Sequence, residues 1–246
     1  MNKFIVVSPV YNSAVFTEKC ILSVLSQTYK NYEFIVIDDC STDRTSDVII
    51  SLWNDNFKYY RNRERIGSCV GNIVKGVNIC SGDDEDIIIT IDGDDWLYSD
   101  DVFEYLNEVY QDDNIWLTYG QFTSTSGMLE NFCKPITSIR NYRRHGIWVT
   151  SHLRTFKRKL FKKINDNDLR DRNGKYYTHF EDTSYMFPMI EMAGLKHILF
   201  IDKILYVYND KNPICTVNNS KERMRMRKIY PIINEIRGKP LYSEIH

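Results

Sequence analysis

The chain has no run of 18 apolar residues, so a membrane-spanning helix is not expected. The opening MNKFIVVSPVYN holds only four apolar residues before Ser8 and Pro9, too few for a secretory core, and suits a first β-strand. The six cysteines are scattered, with no C-x-x-C pair and no Cys/His grouping at zinc spacing. Reduced thiols in a cytoplasmic protein follow as the expectation. Net charge is only −1, so no global field points to nucleic acid, and none is expected as a partner. No G-x-G-x-x-G follows the first strand and no Walker A lysine motif occurs, which disfavours dinucleotide dehydrogenases and P-loop enzymes. Internal repeats and low-complexity segments are also lacking. What remains is an ordinary globular composition, 246 residues at 43% hydrophobic and 26% charged.

The most informative stretch is 86–95, DIIITIDGDD. Its β-branched run suits a strand buried on both faces, as in a parallel sheet. The run ends at Asp92, Gly93, Asp94 and Asp95. Carboxylates so close repel one another unless a cation or hydrogen-bond donors sit among them. Hard cations such as Mg²⁺ and Mn²⁺ favour oxygen ligands of this kind. A solvated acidic turn is the alternative.

Apolar periodicity around that stretch predicts strands at 4–7, 32–37 and 57–60, with helices at 15–27, through Val48–Leu52, and at 67–79. This β-α-β-α-β-α-β order predicts an α/β fold, a Rossmann-like parallel sheet with right-handed crossovers. Three polar clusters then follow strand ends: Tyr11 with Asn12, Asp38 with Asp39, and Asp92 with Asp94 and Asp95. Parallel strands bring such ends to one edge, where open α/β sheets place ligands. The basic turn Arg61, Arg63, Arg65 precedes a helix N-terminus at Gly67-Ser68, which could help hold a diphosphate. Beyond Asp95 the pattern predicts a helix at 102–110, a strand at 115–119, an irregular stretch at 121–144, a strand at 147–150 and a basic helix at 156–164. A helix at 183–193 capped by Gly194 and two strands at 197–201 and 204–208 complete it. Glu181 and Asp182 open that helix, either as dipole-favoured caps or with one as a general base. His152 and His179 are candidates for metal or acceptor contacts, with a satisfied or surface histidine as the alternative, and Trp96 is a candidate to stack on a sugar face, with core packing as the competing role.

The opening FIVVSPVYNSAVFTEKCILSVLSQTYKNYEFIVIDDCSTDRTSDVI resembles the N-terminus of the family 2 glycosyltransferases with the GT-A fold. That family shows a P-x-Y-N loop, a helix with S-[IVL]-L-x-Q-T-[YF] and a strand ending V-D-D-x-S-x-D. Pro9, Tyr11, Asn12, Ser23, Leu25, Gln27, Thr28, Asp38, Asp39, Ser41 and Asp43 match. The likeness continues at Gly67–Asn72, at Asp92-Gly93-Asp94-Asp95 as the D-x-D motif and at Glu181-Asp182 as the E-D motif, and it covers roughly 3–210. It implies a nucleotide-sugar-binding half at 1–95 and a fused acceptor and catalytic-base half at 96–212, followed by a basic extension at 213–246.

The resemblance also implies roles. Pro9, Tyr11, Asn12, Asp39, Arg65, Asp92 and Gly93 would form the donor site, with Tyr11 stacking near the nucleotide base and Asp39 accepting from a base N–H. Asp92 would contact the ribose or the Arg65 region. Asp94, with Asp95 beside it, would hold Mn²⁺ or Mg²⁺ on the diphosphate. Asp182 would deprotonate the acceptor hydroxyl, with Glu181, Trp96, His152 and His179 toward the acceptor. The implied activity is metal-dependent, inverting, hexosyl-type transfer from a nucleotide sugar, a UDP-sugar first, to a glycan, glycolipid or glycoprotein hydroxyl. A sugar-nucleotide nucleotidyltransferase and a non-catalytic nucleotide-sugar or glycan-binding domain are the alternatives. Arg65 stands where the family often has Asn, and Gly71 where it often has Arg. The family's late histidine has no match in LYVYNDKNP, which offers Asn209 and Asn212. The Q-x-x-R-W motif of processive members is missing, which implies single additions. The basic segment 221–228, KERMRMRK, is a candidate for peripheral contact with an anionic membrane, a solvated helix being the alternative.

Overall fold

The structure, a computed structural model, describes residues 1–53, 55, 57–129, 131–212 and 230–245. The segment 221–228, and with it the membrane reading, lies outside them. Among the described residues no helix is long and apolar enough to cross a membrane.

Among the described residues, eight strands form one sheet in the order β3-β2-β1-β4-β7-β6-β8-β5. The first half supplies β1 (Phe4–Val10), β2 (Tyr32–Asp38), β3 (Phe57–Arg61) and β4 (Ile87–Thr90), all parallel. Helices α1 (Ala14–Leu25), α2 (Thr45–Ser51) and α3 (Cys69–Ile79) make the crossovers. The second half adds β5 (Trp96–Leu97), β6 (Leu117–Ser124), β7 (Arg154–Lys157) and β8 (Ile198–Tyr208). Here β7 runs antiparallel to β4 and to β6, while β6 and β8 are parallel. A β-strand sends successive side chains to opposite faces, and β4 uses both. Ile87, Ile89 and Ile91 pack with α1, α2 and α4 (Val102–Val109), and Ile88 packs with α3 and α7 (Glu181–Ala193). The apolar run therefore marks a strand between two cores.

Register decides what meets at the edge. Val10 pairs with Asp38 and Val7 with Thr90, so the three polar clusters lie side by side at the carboxyl ends of β1, β2 and β4. The turn after β4 crosses the end of β1, where the Gly93 N–H donates to Pro9 O at 3.0 Å. A Cβ on Gly93 would lie 2.2 Å from Val10 Cγ1 and 2.7 Å from Pro9 O. Only glycine allows that close crossing.

Four local expectations are corrected. Residues 147–150 form no strand, and Ile147 is 82% exposed. The strand lies instead at β7, followed by α6 (Arg158–Lys162) rather than by a helix from Phe156, because β4 offers the partners for 154–157. Strand β6 continues past Tyr119 into the stretch expected to be irregular. The two late strands are one, β8. Its exposed Asp202 and Lys203 are looped out between Ile201, opposite Gly120, and Ile204, opposite Gln121. A bulge, rather than a turn, absorbs the polar residues.

Candidate active site

A cleft of about 360 Å³ opens at the carboxyl edge of β1, β2 and β4. That lies at the small end of the range for small-molecule sites. The cleft is lined by Pro9, Tyr11, Asp39, Arg65, Asp92, Gly93, Asp94, Asp95 and Glu181 from the expected set, joined by Ser13, Gly67, Ser68, Cys69, Asn72, Tyr208 and Asn212. Asn12, Trp96, His152, His179 and Asp182 are outside the lining. Asn12, at a left-handed φ of 46°, accepts from Thr42 N at 2.8 Å and so stitches the loops after β1 and β2 together. The Trp96 ring is covered by Lys19 Nζ, 3.6 Å from its centroid, in a separate hollow with Leu22 and Tyr98. His179 lies 3.0 Å from the hydroxyl of its neighbour Thr178.

The two acidic residues at the end of β2 divide their work. Asp38 is fully buried and accepts from Ser41 N (2.8 Å), Ser46 (2.6 Å) and Tyr59 (3.0 Å). It is structural. Asp39 Oδ1 accepts from Ile66 N (2.8 Å) and the Asn62 amide (2.7 Å), filling that oxygen. Among the described residues Asp39 Oδ2 accepts only from Gly67 N (2.7 Å), leaving a lone pair for a further N–H donor. The Arg65 guanidinium lies 3.6 Å from the Tyr11 ring centroid, a cation–π stack at the mouth of the cleft.

The D-G-D-D turn also splits. Asp95 is 1% exposed and accepts from the Tyr206 hydroxyl (2.8 Å) and from Asn209 N (2.7 Å), which anchors the turn to β8. Burial, then Asp94 and Asp92, push its carboxyl well above the usual range. Asp94 faces the cleft and accepts from the Asn212 amide at 2.6 Å. Burial and the Asp92 charge raise it as well. Asp92 lies 3.6 Å from the Cys69 thiol and 3.3 Å from His152 Nε2. Ligand atoms of Asp92, Asp95 and His152 lie within 4.8 Å of one another.

Glu181 corrects the expected role of the α3 N-terminus. Its Oε2 accepts from Val70 N at 2.7 Å and sits 3.1 Å from the Ser68 hydroxyl. Val70 N is thus answered by a carboxylate from α7 and Gly71 N by the Ser68 hydroxyl at 3.2 Å, so these donors are not left for a diphosphate. Burial pushes the Glu181 carboxyl up to about 8. Behind it, Asp182 Oδ2 accepts from Arg154 Nη2 at 2.7 Å, and Arg154 Nη1 lies 2.8 Å from His152 Nε2. Sequence reasoning passed over Arg154 and Tyr206. A lone arginine between Leu153 and Thr155-Phe156, at the start of a buried strand, was the available signal.

Asp39, Asp92, Asp94, Asp95 and Glu181 thus face one cation, Arg65, across the described lining. Two of the carboxyls are raised by mutual repulsion as well as burial. An oxygen-rich, self-repelling donor set of this kind fits a hard divalent cation.

The model of the family described as "Glycosyl transferase family 2" matches residues 5–170, more than half of the chain. The chain belongs to the family 2 glycosyltransferases. This glycosyltransferase is 27% identical over 223 residues to glycosyltransferase GlyG of Streptococcus pneumoniae, a match covering 84% of the chain and 70% of GlyG. It spans only 30% of a second pneumococcal relative, GlyA. Solved structures share its fold. S. aureus TarS 1-349 in complex with UDP-GlcNAc aligns at a TM-score of 0.66 with 19% identity, over 92% of this chain and 65% of that one. Glucosyl-3-phosphoglycerate synthase from Mycobacterium tuberculosis, in complex with Mn²⁺, UDP and glucosyl-3-phosphoglycerate, aligns at 0.65 with 16% identity, over 97% and 81%. The fold of this glycosyltransferase is accordingly GT-A.

Proposed function

We propose that this glycosyltransferase moves a sugar from a UDP-sugar to a hydroxyl of a glycan or glycoconjugate, with inversion and with help from a divalent cation. The observation that carries the reading is the cleft itself. It gathers one aromatic ring, one carboxylate with a spare lone pair, and a cluster of carboxylates that could not hold an anionic diphosphate without added positive charge. The Mn²⁺ of the mycobacterial synthase and the UDP-GlcNAc of TarS support the same cofactor and donor class here.

Tyr11 would present its ring to the base, Asp39 Oδ2 would accept a ring N–H, and Arg65 would turn from Tyr11 toward the donor. Asp94 would be the main ligand of Mn²⁺ or Mg²⁺, with Asp92 beside it. The facing atoms of Asp95 and His152 are already engaged, by Tyr206, Asn209 and Arg154. The ion would offset the charge growing on the departing diphosphate. Asp182 would take the acceptor proton as the acceptor oxygen attacks the anomeric carbon opposite that group, a contribution of typically ~10²–10⁴-fold. One base and one displacement give inversion.

The test is turnover of UDP-glucose, UDP-galactose, UDP-GlcNAc and UDP-GalNAc with Mn²⁺, with EDTA as control. Transfer or hydrolysis of at least one donor, lost with EDTA and restored by Mn²⁺, is the expected result. Asp94→Ala should lose UDP–Mn²⁺ binding, while Asp182→Asn should abolish transfer with UDP affinity within about threefold, since a base acts on the reaction and not on donor binding. Inactivity with every donor, together with unchanged UDP binding in Asp94→Ala, would sink the reading.

A further inference from the structure

We propose that Arg154 is a positioning residue for the base: its guanidinium grips Asp182 by Oδ2, and the His152 ring beside Asp92 braces that grip. The inference rests on the reading of Asp182 as the base.

Placement comes first. Thr90, the last residue of β4, pairs with Arg154 at the start of β7. Because the two strands are antiparallel, an arginine there leaves the sheet at the edge where the cleft opens. Arg154 is only 5% exposed, and a buried guanidinium is costly unless paired. Its Nη2 donates to Asp182 Oδ2 at 2.7 Å and its Nη1 to His152 Nε2 at 2.8 Å. Among the described residues its Nε has no acceptor. Two contacts from one planar fork therefore set the position of the group.

The histidine is a defined partner. His152 Nε2 lies 2.8 Å from Arg154 Nη1 and 3.3 Å from Asp92 Oδ2; arginine only donates, so toward the nearer group, the guanidinium, it presents its lone pair. The ring proton then sits on Nδ1, 3.3 Å from the Ser151 hydroxyl. That ring stacks on Tyr206 at 4.5 Å and 9°, and the Tyr206 hydroxyl is tied to Asp95. The base is thereby linked through Arg154, His152 and Tyr206 to the turn that carries Asp92 and Asp94. Other titratable groups that act electrostatically on Arg154 are Asp92, Tyr185, Tyr206, Cys69 and Cys133.

The carboxylate is held at both oxygens, because Asp182 Oδ1 accepts from Thr183 N at 2.9 Å. Without Arg154 only the helix contact remains among the described residues, and the group can swing. A misplacement of about 1 Å at a reacting group can cost ~10²-fold. A lysine ammonium is a point charge and cannot span both partners as the fork does.

The experiment compares Arg154→Met, Arg154→Lys, Arg154→Ala and Asp182→Asn with the parent. Turnover is read as UDP release from the UDP-sugar that supports transfer, and binding by calorimetry with UDP and Mn²⁺. Arg154→Met should lower kcat by about 10²-fold while UDP affinity stays within about threefold, the signature of a group that acts on the reaction alone. Arg154→Lys should recover part of the loss, and millimolar guanidinium should partly rescue Arg154→Ala. Parallel losses in kcat and UDP affinity, with no guanidinium rescue, would reduce Arg154 to a scaffold residue. A crystal structure of Arg154→Met with Asp182 unmoved would overturn the inference without any turnover measurement. Asp182→Asn separates the two levels. Wild-type turnover in that variant removes the base reading, whereas a dead Asp182→Asn beside a fully active Arg154→Met removes this inference alone.

Discussion

Replacing Glu181 with glutamine should flatten the dependence of stability on pH. In the native state this carboxyl is held by Val70 N and the Ser68 hydroxyl at the α3 N-terminus, yet burial dominates and raises it from 4.5 to about 8. Between those values the folded chain holds a proton that the unfolded chain has released. Stability therefore falls as pH rises from about 4.5 to about 8 and is level outside that window. Each pKa unit corresponds to ~1.4 kcal/mol, and since the residue is partly exposed we expect roughly 2 kcal/mol across the window. Glutamine keeps an acceptor for Val70 N and carries no titrating proton. Glu181→Gln should match the parent near pH 5 and exceed it by roughly that amount near pH 8. Urea unfolding followed by fluorescence at pH 5, 6, 7 and 8 measures this. A constant difference between the two proteins at all four values would refute the assignment of the slope to Glu181.

Two further outcomes follow from packing. Gly93→Ala places a methyl against Val10 Cγ1 and Pro9 O, so the D-G-D-D turn must shift, at a cost of about 1–3 kcal/mol and with loss of UDP–Mn²⁺ binding, both readable by melting and calorimetry. Arg143, 2% exposed, donates to Glu191 at 2.5 Å and to Pro240 O at 2.8 Å, and Glu191 accepts from Tyr242 N at 3.0 Å. Glu191→Gln should therefore cost about 3–5 kcal/mol, the penalty for an uncompensated buried charge, and a melting temperature within a degree of the parent would contradict it.

Much of the scaffold is legible in the chain because its signals are local. The apolar runs of β1, β2 and β4, the intervening helical periodicity and the polar strand ends follow from periods of 2 and 3.6 read within a dozen residues. The prediction that three polar clusters share one edge needed only the parallel order. The second half is less legible. Strand β7 is chosen by the open edge of β4, and Asp202-Lys203 could signal a turn or a bulge until β6 lay beside them.

The amino-acid sequence by itself determined the family, the parallel nucleotide-binding half and the acidic turn at its edge, since each is written in contiguous residues. Tertiary structure alone decided how the carboxylates divide their work. Asp38 and Asp95 turn inward because Tyr59 and Tyr206 reach them, while Asp39 and Asp94 keep an oxygen for the cleft. Glu181 closes the α3 N-terminus from 111 residues away, and Arg154 meets Asp182 across 28. Such partners are set by the register of an antiparallel pair and the docking of one helix on another. No spacing along the chain encodes these.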